Sequence, residues 1–290
     1  MGDWREVQMA GIGSSERTDW PTAVVVGAGG LGMATARRLG LSHRLIVADR
    51  DKNHVERQCA TLRSDGYDAI ASVCDLTCSA DIGSLAAMAA RRPAVQALAN
   101  IVGLSPAAKD FDAIMAVNLI GASAIAQAFI EILAPGGSAV FISSSAAHMQ
   151  AIPPEMELIL DDPLKSDFLE RLRAFLGSGA DANRAYALSK AGLNRMCRRK
   201  AADWGKRGLR INSLSPGLIA TPQGAESYKH SSGKFALFEA VPLGRECSML
   251  EIAGVVAFLL SDQASYISGT DILVDGGLIS SLGTPARAAL

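Results

Sequence analysis

Tyr186 and Lys190 stand four residues apart in a stretch, Tyr186-Ala187-Leu188-Ser189-Lys190, that reads as helix. At that spacing a helix sets a phenol and an ammonium on one face. A nearby positive charge favours phenolate over phenol, so such a pair can give and take a proton near neutral pH. The same spacing occurs on many solvated helix faces, and alone it would be read as one of them. A second group with chemistry lies near the other end, in Val24-Val25-Val26-Gly27-Ala28-Gly29-Gly30-Leu31-Gly32. Its glycines let the backbone approach a pyrophosphate, and the helix predicted to follow, Met33 to Leu39, supplies amide donors and a favourable dipole. Asp49, about twenty residues further on, falls where a carboxylate accepts hydrogen bonds from the adenosine ribose and repels a 2'-phosphate. That favours NAD. Arg50 keeps NADP open, because a guanidinium can bind that phosphate, cover the adenine or simply stay solvated.

These groups need elements to hold them. Short apolar runs recur from Thr22 onward: Ala23 to Val26, Leu45 to Ala48, Ala69 to Val73, Val95 to Ala99, Ala139 to Ile142, Leu209 to Leu214 and Ile272 to Val274. Near-continuous apolar strands separated by helical patterns predict a parallel sheet covered on both faces. The fold class is therefore α/β, a Rossmann-like, doubly wound, three-layer sandwich with its ligands at the carboxyl ends of the strands. Residues 21–290 read as a single domain, and residues 1–20, rich in Gly, Ser and charge, as a flexible extension. The rhythm breaks at 149–183, where no strand candidate appears but Leu164, Phe168, Leu172 and Phe175 recur at helical spacing. Pro153-Pro154 opens that insertion and Gly177-Ser178-Gly179 closes it. Residues 222–245 read as a mobile loop, and Glu251 to Leu260 as a helix. Long helices over Phe111 to Leu133 and Tyr186 to Trp204 are apolar enough to pair with a second copy.

With 290 residues, 49% hydrophobic, 20% charged and a net charge of -1, the chain has the composition of a globular protein with a large core. Its balance gives no electrostatic reason to expect nucleic acid. No apolar run of transmembrane length stands out, so no membrane is expected. Cys59, Cys74, Cys78, Cys197 and Cys247 form no CxxC pair and no set with zinc spacing. They read as reduced thiols in a cytoplasmic protein, and no metal is expected. His148 and His230 read as polar loop residues.

The chain resembles the short-chain dehydrogenase/reductase family. The glycine turn and Tyr186-xxx-Lys190 carry the likeness, with landmarks in order between and after them: Asp75-Leu76, Asn100-Ile101-Val102-Gly103, Asn118 in Val117-Asn118-Leu119, Ser144 in Ile142-Ser143-Ser144, Ser215-Pro216-Gly217, and Val274-Asp275-Gly276-Gly277. The resemblance implies that Tyr186 is the catalytic acid/base, and that Lys190 lowers its pKa and holds the nicotinamide ribose. It implies that Ser144 hydrogen-bonds the substrate oxygen and that Asn118 holds a water linking Lys190 to solvent. Gly27, Gly29, Gly30, Leu31, Gly32, Asp49, Arg50, Asp75, Leu76, Asn100, Gly103, Pro216, Gly217, Ile219 and Thr221 would line the cofactor. Other readings remain for several of these. Ser145 rivals Ser144, Asn118 can instead tie two strands through backbone hydrogen bonds, Asp75 can cap a loop, and Pro216-Gly217 can merely shape a turn. The chain departs from the family in a glycine turn one residue short, with Val26 where threonine is usual, and in the long stretch between Ser144 and Tyr186.

The expected activity is NAD(P)-dependent interconversion of a secondary alcohol and a ketone, on a small hydroxy or keto substrate of apolar, steroid, acyl or lipid-like character. A non-catalytic dinucleotide-binding redox sensor and an epimerase or dehydratase are the alternatives. Relatives imply a homo-oligomer, dimer or tetramer. The insertion could wall the substrate pocket, with Met149, Met156, Leu160 and Phe168 as contacts, or serve as an oligomer contact or surface embellishment.

Overall fold

The computed structural model describes residues 19–220 and 232–283. Nearly all of the predicted 1–20 extension, and the first part of the 222–245 loop, lie outside the described residues. Among them, β1 (Thr22–Val26), β2 (Arg44–Asp49), β3 (Ala69–Val73), β4 (Val95–Asn100), β5 (Leu133–Ile142), β6 (Arg210–Pro216) and β7 (Asp271–Val274) form one sheet. Its order is β3-β2-β1-β4-β5-β6-β7, parallel throughout. Each apolar run of the sequence is a strand. Only β5 begins well before its predicted start, because Val95 pairs with Leu133 and the register then shifts so that Ala97 pairs with Ser138. Pro135-Gly136-Gly137 falls in that irregularity and hides the strand from a pattern search.

Strands without alternation need helices on both faces, and they have them. Every residue of β1 is buried. On one face Val25, Val47 and Ala99 meet α1 (Gly30–Leu39), α2 (Lys52–Ser64) and the helix Met249–Leu260. On the other, Val24, Leu98 and Phe141 meet α3 (Ser79–Ala90), a helix at Ala122–Phe129 and the long helix Ala182–Gly205. The order of the sheet reverses between β1 and β4, which opens a crevice at their carboxyl ends.

The helix expected over Phe111 to Leu133 runs unbroken from Phe111 to Phe129, as α4 (Phe111–Met115), a π-helical segment (Ala116–Gly121) and α5 (Ala122–Phe129) in succession, and stops short because Leu133 already belongs to β5. The stretch Phe111–Phe129 is long and apolar enough to cross a bilayer by length and composition, which the sequence reading missed. It is a core helix here, with 61% of its apolar window buried.

The insertion is helical. After a 3-10 turn at Ser145–His148 come α6 (Pro154–Leu160), α7 (Phe168–Leu176) and a second 3-10 turn, and then α8 (Ala182–Gly205) begins. Its apolar residues divide between a cavity and the core: Met156, Phe175 and Leu176 line a cavity of about 600 Å3 together with Gln150, Arg184 and Ala187. Met156, Leu160, Phe168 and Leu172 are buried against Ile114, Met115 and Leu119 on one side and Ala185 and Leu188 of α8 on the other. Of the four residues expected to touch substrate, only Met149 is exposed. The insertion thus covers part of the α4 and α8 surface that the sequence assigned to a second copy.

A charge cluster fastens the same contact. Asp161, at the end of α6 and 6% exposed at its side chain, accepts from Arg195 Nε and Nη2 at 2.9 Å each and pairs with Arg199 at 3.0 Å. Two parallel bonds from one guanidinium give geometry as well as energy. Asp161→Asn removes the charge and half of the fork. Urea unfolding should show a loss of about 1–3 kcal/mol, against near-neutral behaviour for Asp203→Asn, whose pair with Lys206 is solvent-exposed.

Candidate active site

The crevice between β1 and β4 is a cavity of about 450 Å3. Gly27, Gly29, Gly30, Leu31, Gly32, Asp49, Arg50, Asp75, Leu76 and Gly103 line it, together with Cys74, Ile101, Val102, Leu104 and Val117. The turn that leads into α1 depends on two glycines. Gly27 has φ +106°, a conformation side chains resist, and a Cβ on Gly32 would collide with the Gly27 carbonyl. Gly29, ahead of α1, gives it no side-chain cap, and no acidic residue stands in its first turn. The amides there are open to an anion. The turn is held from outside through Ala28: its N–H donates to Asp49 at 2.9 Å and its carbonyl accepts from His54 Nε2 at 3.0 Å. Asp49 also accepts from the Asp51 amide at 3.1 Å. This leaves its carboxylate fixed at the cavity wall with lone pairs to spare. Asp75 accepts from the amide and hydroxyl of Thr77, which hold its carboxyl below the usual range. It caps a loop and lines the cavity at once.

The residues present fit a dinucleotide: an uncapped helix start, glycines a Cβ would block, and a fixed carboxylate where a ribose would lie. Asn100 is buried behind the cavity rather than lining it, and its Oδ1 has no partner. Pro216 ends β6, and it and the following Gly217 and Ile219 lie outside this cavity, while Thr221 lies outside the described residues. Gly217 packs on Asp275, where an added Cβ would come within 2.7 Å of its Cα.

The four residues singled out for proton chemistry converge on the ends of β5 and α8. Asp181 caps α8 by accepting from Arg184 N–H. Ser144 lies just beyond β5, where its hydroxyl accepts from Ala146 N–H at 3.2 Å and acts on the Tyr186 phenol against the effect of burial. Of its neighbours, Ser143 turns inward and donates to the Lys190 carbonyl at 3.0 Å, and Ser145, at the start of the 3-10 turn, is buried. Lys190, 3% exposed, donates from Nζ to the Ile142 carbonyl at 2.8 Å and stands 5.8 Å from the centre of the Tyr186 ring. A Cβ at Gly103 would come within 2.9 Å of that ammonium.

Electrostatics in the cofactor-free chain run against a free phenolate. Burial raises the Tyr186 pKa, and only Ser144 opposes it. Burial lowers Lys190 to about 8. The Lys190 ammonium is turned to the Ile142 carbonyl and lies over the Tyr186 ring rather than at its hydroxyl. Asn118, 2% exposed, sits in the π-helical segment, a geometry often found at functional sites. Its amide accepts from Leu104 N–H at 2.7 Å and donates to the Leu104 carbonyl at 2.9 Å and to Ser189 at 3.2 Å. This is the backbone tie considered for it, made to the loop after β4 rather than between strands.

Two histidines carry more than the sequence suggested. His54 braces the glycine turn, and only its place early in α2 hinted at that. His148, read as a loop residue, meets Asp271 at 2.8 Å and Ser215 at 3.3 Å. No local pattern joins residues so far apart.

Residues 21–153 match the family model described as short chain dehydrogenase, and residues 174–279 the one described as Enoyl-(Acyl carrier protein) reductase. The unmatched stretch between them falls within the insertion. The chain is 32% identical to "Short-chain dehydrogenase/reductase bsc3" of Alternaria brassicicola, over 90% of this chain and 96% of that one. It is 36% identical to the 3-alpha-hydroxysteroid dehydrogenase/carbonyl reductase of Comamonas testosteroni, over 61% and 69%. It is 30% identical to D-threitol dehydrogenase of Mycolicibacterium smegmatis, over 90% and 94%. Among solved structures, that of gox2181 superimposes with a TM-score of 0.74 at 25% identity, covering 91% of this chain and 97% of that one.

The depressed Lys190 gives a test that needs no substrate. Its folded pKa, about 8, lies below the unfolded value. Between the two the unfolded chain binds the extra proton, so the cost of the buried charge falls as pH rises. In cofactor-free protein, the stability of the parent relative to Lys190→Met should improve by about 2 kcal/mol between pH 7 and 9.5, measured by urea unfolding. A pH-independent difference would contradict the burial of a titrating ammonium.

Proposed function

Because the chain belongs to the short-chain dehydrogenase/reductase family and is an oxidoreductase of that family, we propose that it interconverts a secondary alcohol and a ketone with Tyr186 as acid/base. The observation that carries this is the meeting of Tyr186, Ser144 and Lys190 at the ends of β5 and α8, beside the dinucleotide-shaped cavity. A bound nicotinamide would supply or accept the hydride. The chain's own part is to hold the substrate oxygen and move one proton. Ser144 and Tyr186 present hydroxyls to the oxygen on which charge develops. Tyr186 gives its proton to that oxygen in reduction and takes it back in oxidation. Lys190 supplies the positive charge that makes the phenolate bearable in a buried setting, and its ribose contact would redirect Nζ from the Ile142 carbonyl.

NAD is the proposed cofactor. Asp49 supports this, pinned by two backbone amides where a 2'-phosphate would meet a carboxylate. Arg50 stands beside it and leaves NADP the weaker partner. The proposed substrate is apolar, in line with exposed Met149 just past the Ser144 turn and with the hydroxysteroid named in one relative. The relative named for threitol points the other way. A homo-oligomer would have to use a face other than the insertion-covered part of α4 and α8.

Tyr186→Phe should leave NADH binding, followed by fluorescence titration, intact. It should lower turnover about a hundred-fold or more on whichever of a hydroxysteroid, hydroxyacyl thioester or polyol panel the parent accepts. Retained turnover would remove Tyr186 from the mechanism. Oxidation needs the Tyr186 phenolate and Lys190 supports it only while charged, and burial brings Lys190 down to about 8; the parent's rate of alcohol oxidation should therefore rise with pH and stop rising once the ammonium is lost, the apparent values belonging to the Tyr186 and Lys190 pair. Asp49→Ala should narrow the ratio of NADPH to NADH dissociation constants about ten-fold; an unchanged ratio would place discrimination elsewhere.

A further inference from the structure

Between α8 and the β7 edge of the sheet lies a polar cluster that none of the roles above uses. Asp271, 6% exposed at its side chain, accepts from Ser213 Oγ at 2.7 Å, from Ser215 Oγ at 3.0 Å and from His148 Nε2 at 2.8 Å. Asn194, one turn beyond Lys190 on α8, donates to Ser215 at 3.4 Å. The cluster is not a nucleophile relay, because one histidine nitrogen meets both the serine and the carboxylate, whereas a relay needs one nitrogen for each. Its purpose lies in what it ties together.

His148 ends the 3-10 turn whose first cap is Ser144. The strand side of that turn is already fixed, since Ser143 donates its N–H to the Leu214 carbonyl at 2.7 Å and its hydroxyl to Lys190. The far side opens directly into the insertion at Met149, which is 41% exposed. His148 is the last anchored residue before that segment. Gln150 makes a second anchor, accepting from Arg184 at 2.8 Å at the start of α8. A carboxylate with three donors and little exposure is a stiff post. Only the four-residue 3-10 turn Ser145–His148 separates Ser144 from that post.

We propose that His148, held by Asp271, is a positioning residue that fixes the Ser144 turn against Tyr186 and isolates it from the insertion. The inference rests on the oxidoreductase reading for its effect on rate, but not for its effect on Tyr186. Burial raises the Tyr186 pKa and Ser144 opposes that rise, so a loosened turn that draws Ser144 away lets the phenol titrate higher.

The experiment is a near-ultraviolet titration of the Tyr186 phenolate, taken as the difference between each variant and its Tyr186→Phe counterpart, alongside steady-state kinetics. His148→Ala should move the titration upward and lower kcat about ten- to a hundred-fold, with NADH affinity held within about two-fold. His148→Gln, which keeps a donor near the Nε2 position, should restore most of both. Asp271→Asn supplies the second variant should His148→Ala fail to fold, with the same direction expected. An unchanged phenolate titration in a folded variant overturns the proposal whatever the turnover. A parent whose turnover survives Tyr186→Phe overturns the oxidoreductase mechanism instead, and the titration still decides the tether.

Discussion

One residue clamps α8 to β5 at both its ends. Lys190 donates its ammonium to the carbonyl of Ile142 and accepts, on its own carbonyl, the hydroxyl of Ser143. These bonds join neighbouring residues of a strand end to a single position of a helix, in a setting with almost no solvent. A buried ammonium without partners would cost several kcal/mol, so the clamp is also the condition for Lys190 being there. It fixes the height of α8 over the sheet, and with it the meeting of Tyr186 with Ser144. The dinucleotide-shaped cavity adjoins the same point, because Gly103 leaves room for the lysine where a side chain would not.

What the sequence made legible follows from how local each constraint is. The glycine turn was readable because Gly27 and Gly32 answer to backbone geometry within a few residues, and Asp49 because a strand of known length carries it to the turn. Seven strands could be located because burial on both faces leaves uninterrupted apolar runs. Tyr186 and Lys190 were readable as a helical spacing, but the direction of their shifts was not: that depends on burial and on where Nζ points. Asn118 stood out only through the family resemblance, and its tie to Leu104 needed the π-helical segment, which has no sequence signature at this length. His148 and Asp271 lie at opposite ends of the second half of the chain, and only the sheet order brings them together.

The insertion shows the same limit from another side. Helical spacing of Phe168 and Leu172 disclosed an amphipathic face, and a face alone does not name what covers it. The structure turns it onto α4 and α8, where Asp161 locks to Arg195 and Arg199. The segment therefore braces the helix that carries Tyr186, and the family models, matching on either side of it, are silent over most of its length. Proton chemistry is proposed on residues held by long-range packing, so the insertion and the clamp act on the same helix from opposite directions.

A crystal structure of the protein with NADH decides whether the cavity between β1 and β4 and the Tyr186 centre form one site. The adenosine ribose should lie at Asp49, the pyrophosphate at the start of α1, and the nicotinamide beside Tyr186 and Lys190, with Nζ turned from Ile142 to the ribose. A nicotinamide directed away from Tyr186, or a dinucleotide bound outside the glycine turn, would contradict a single site.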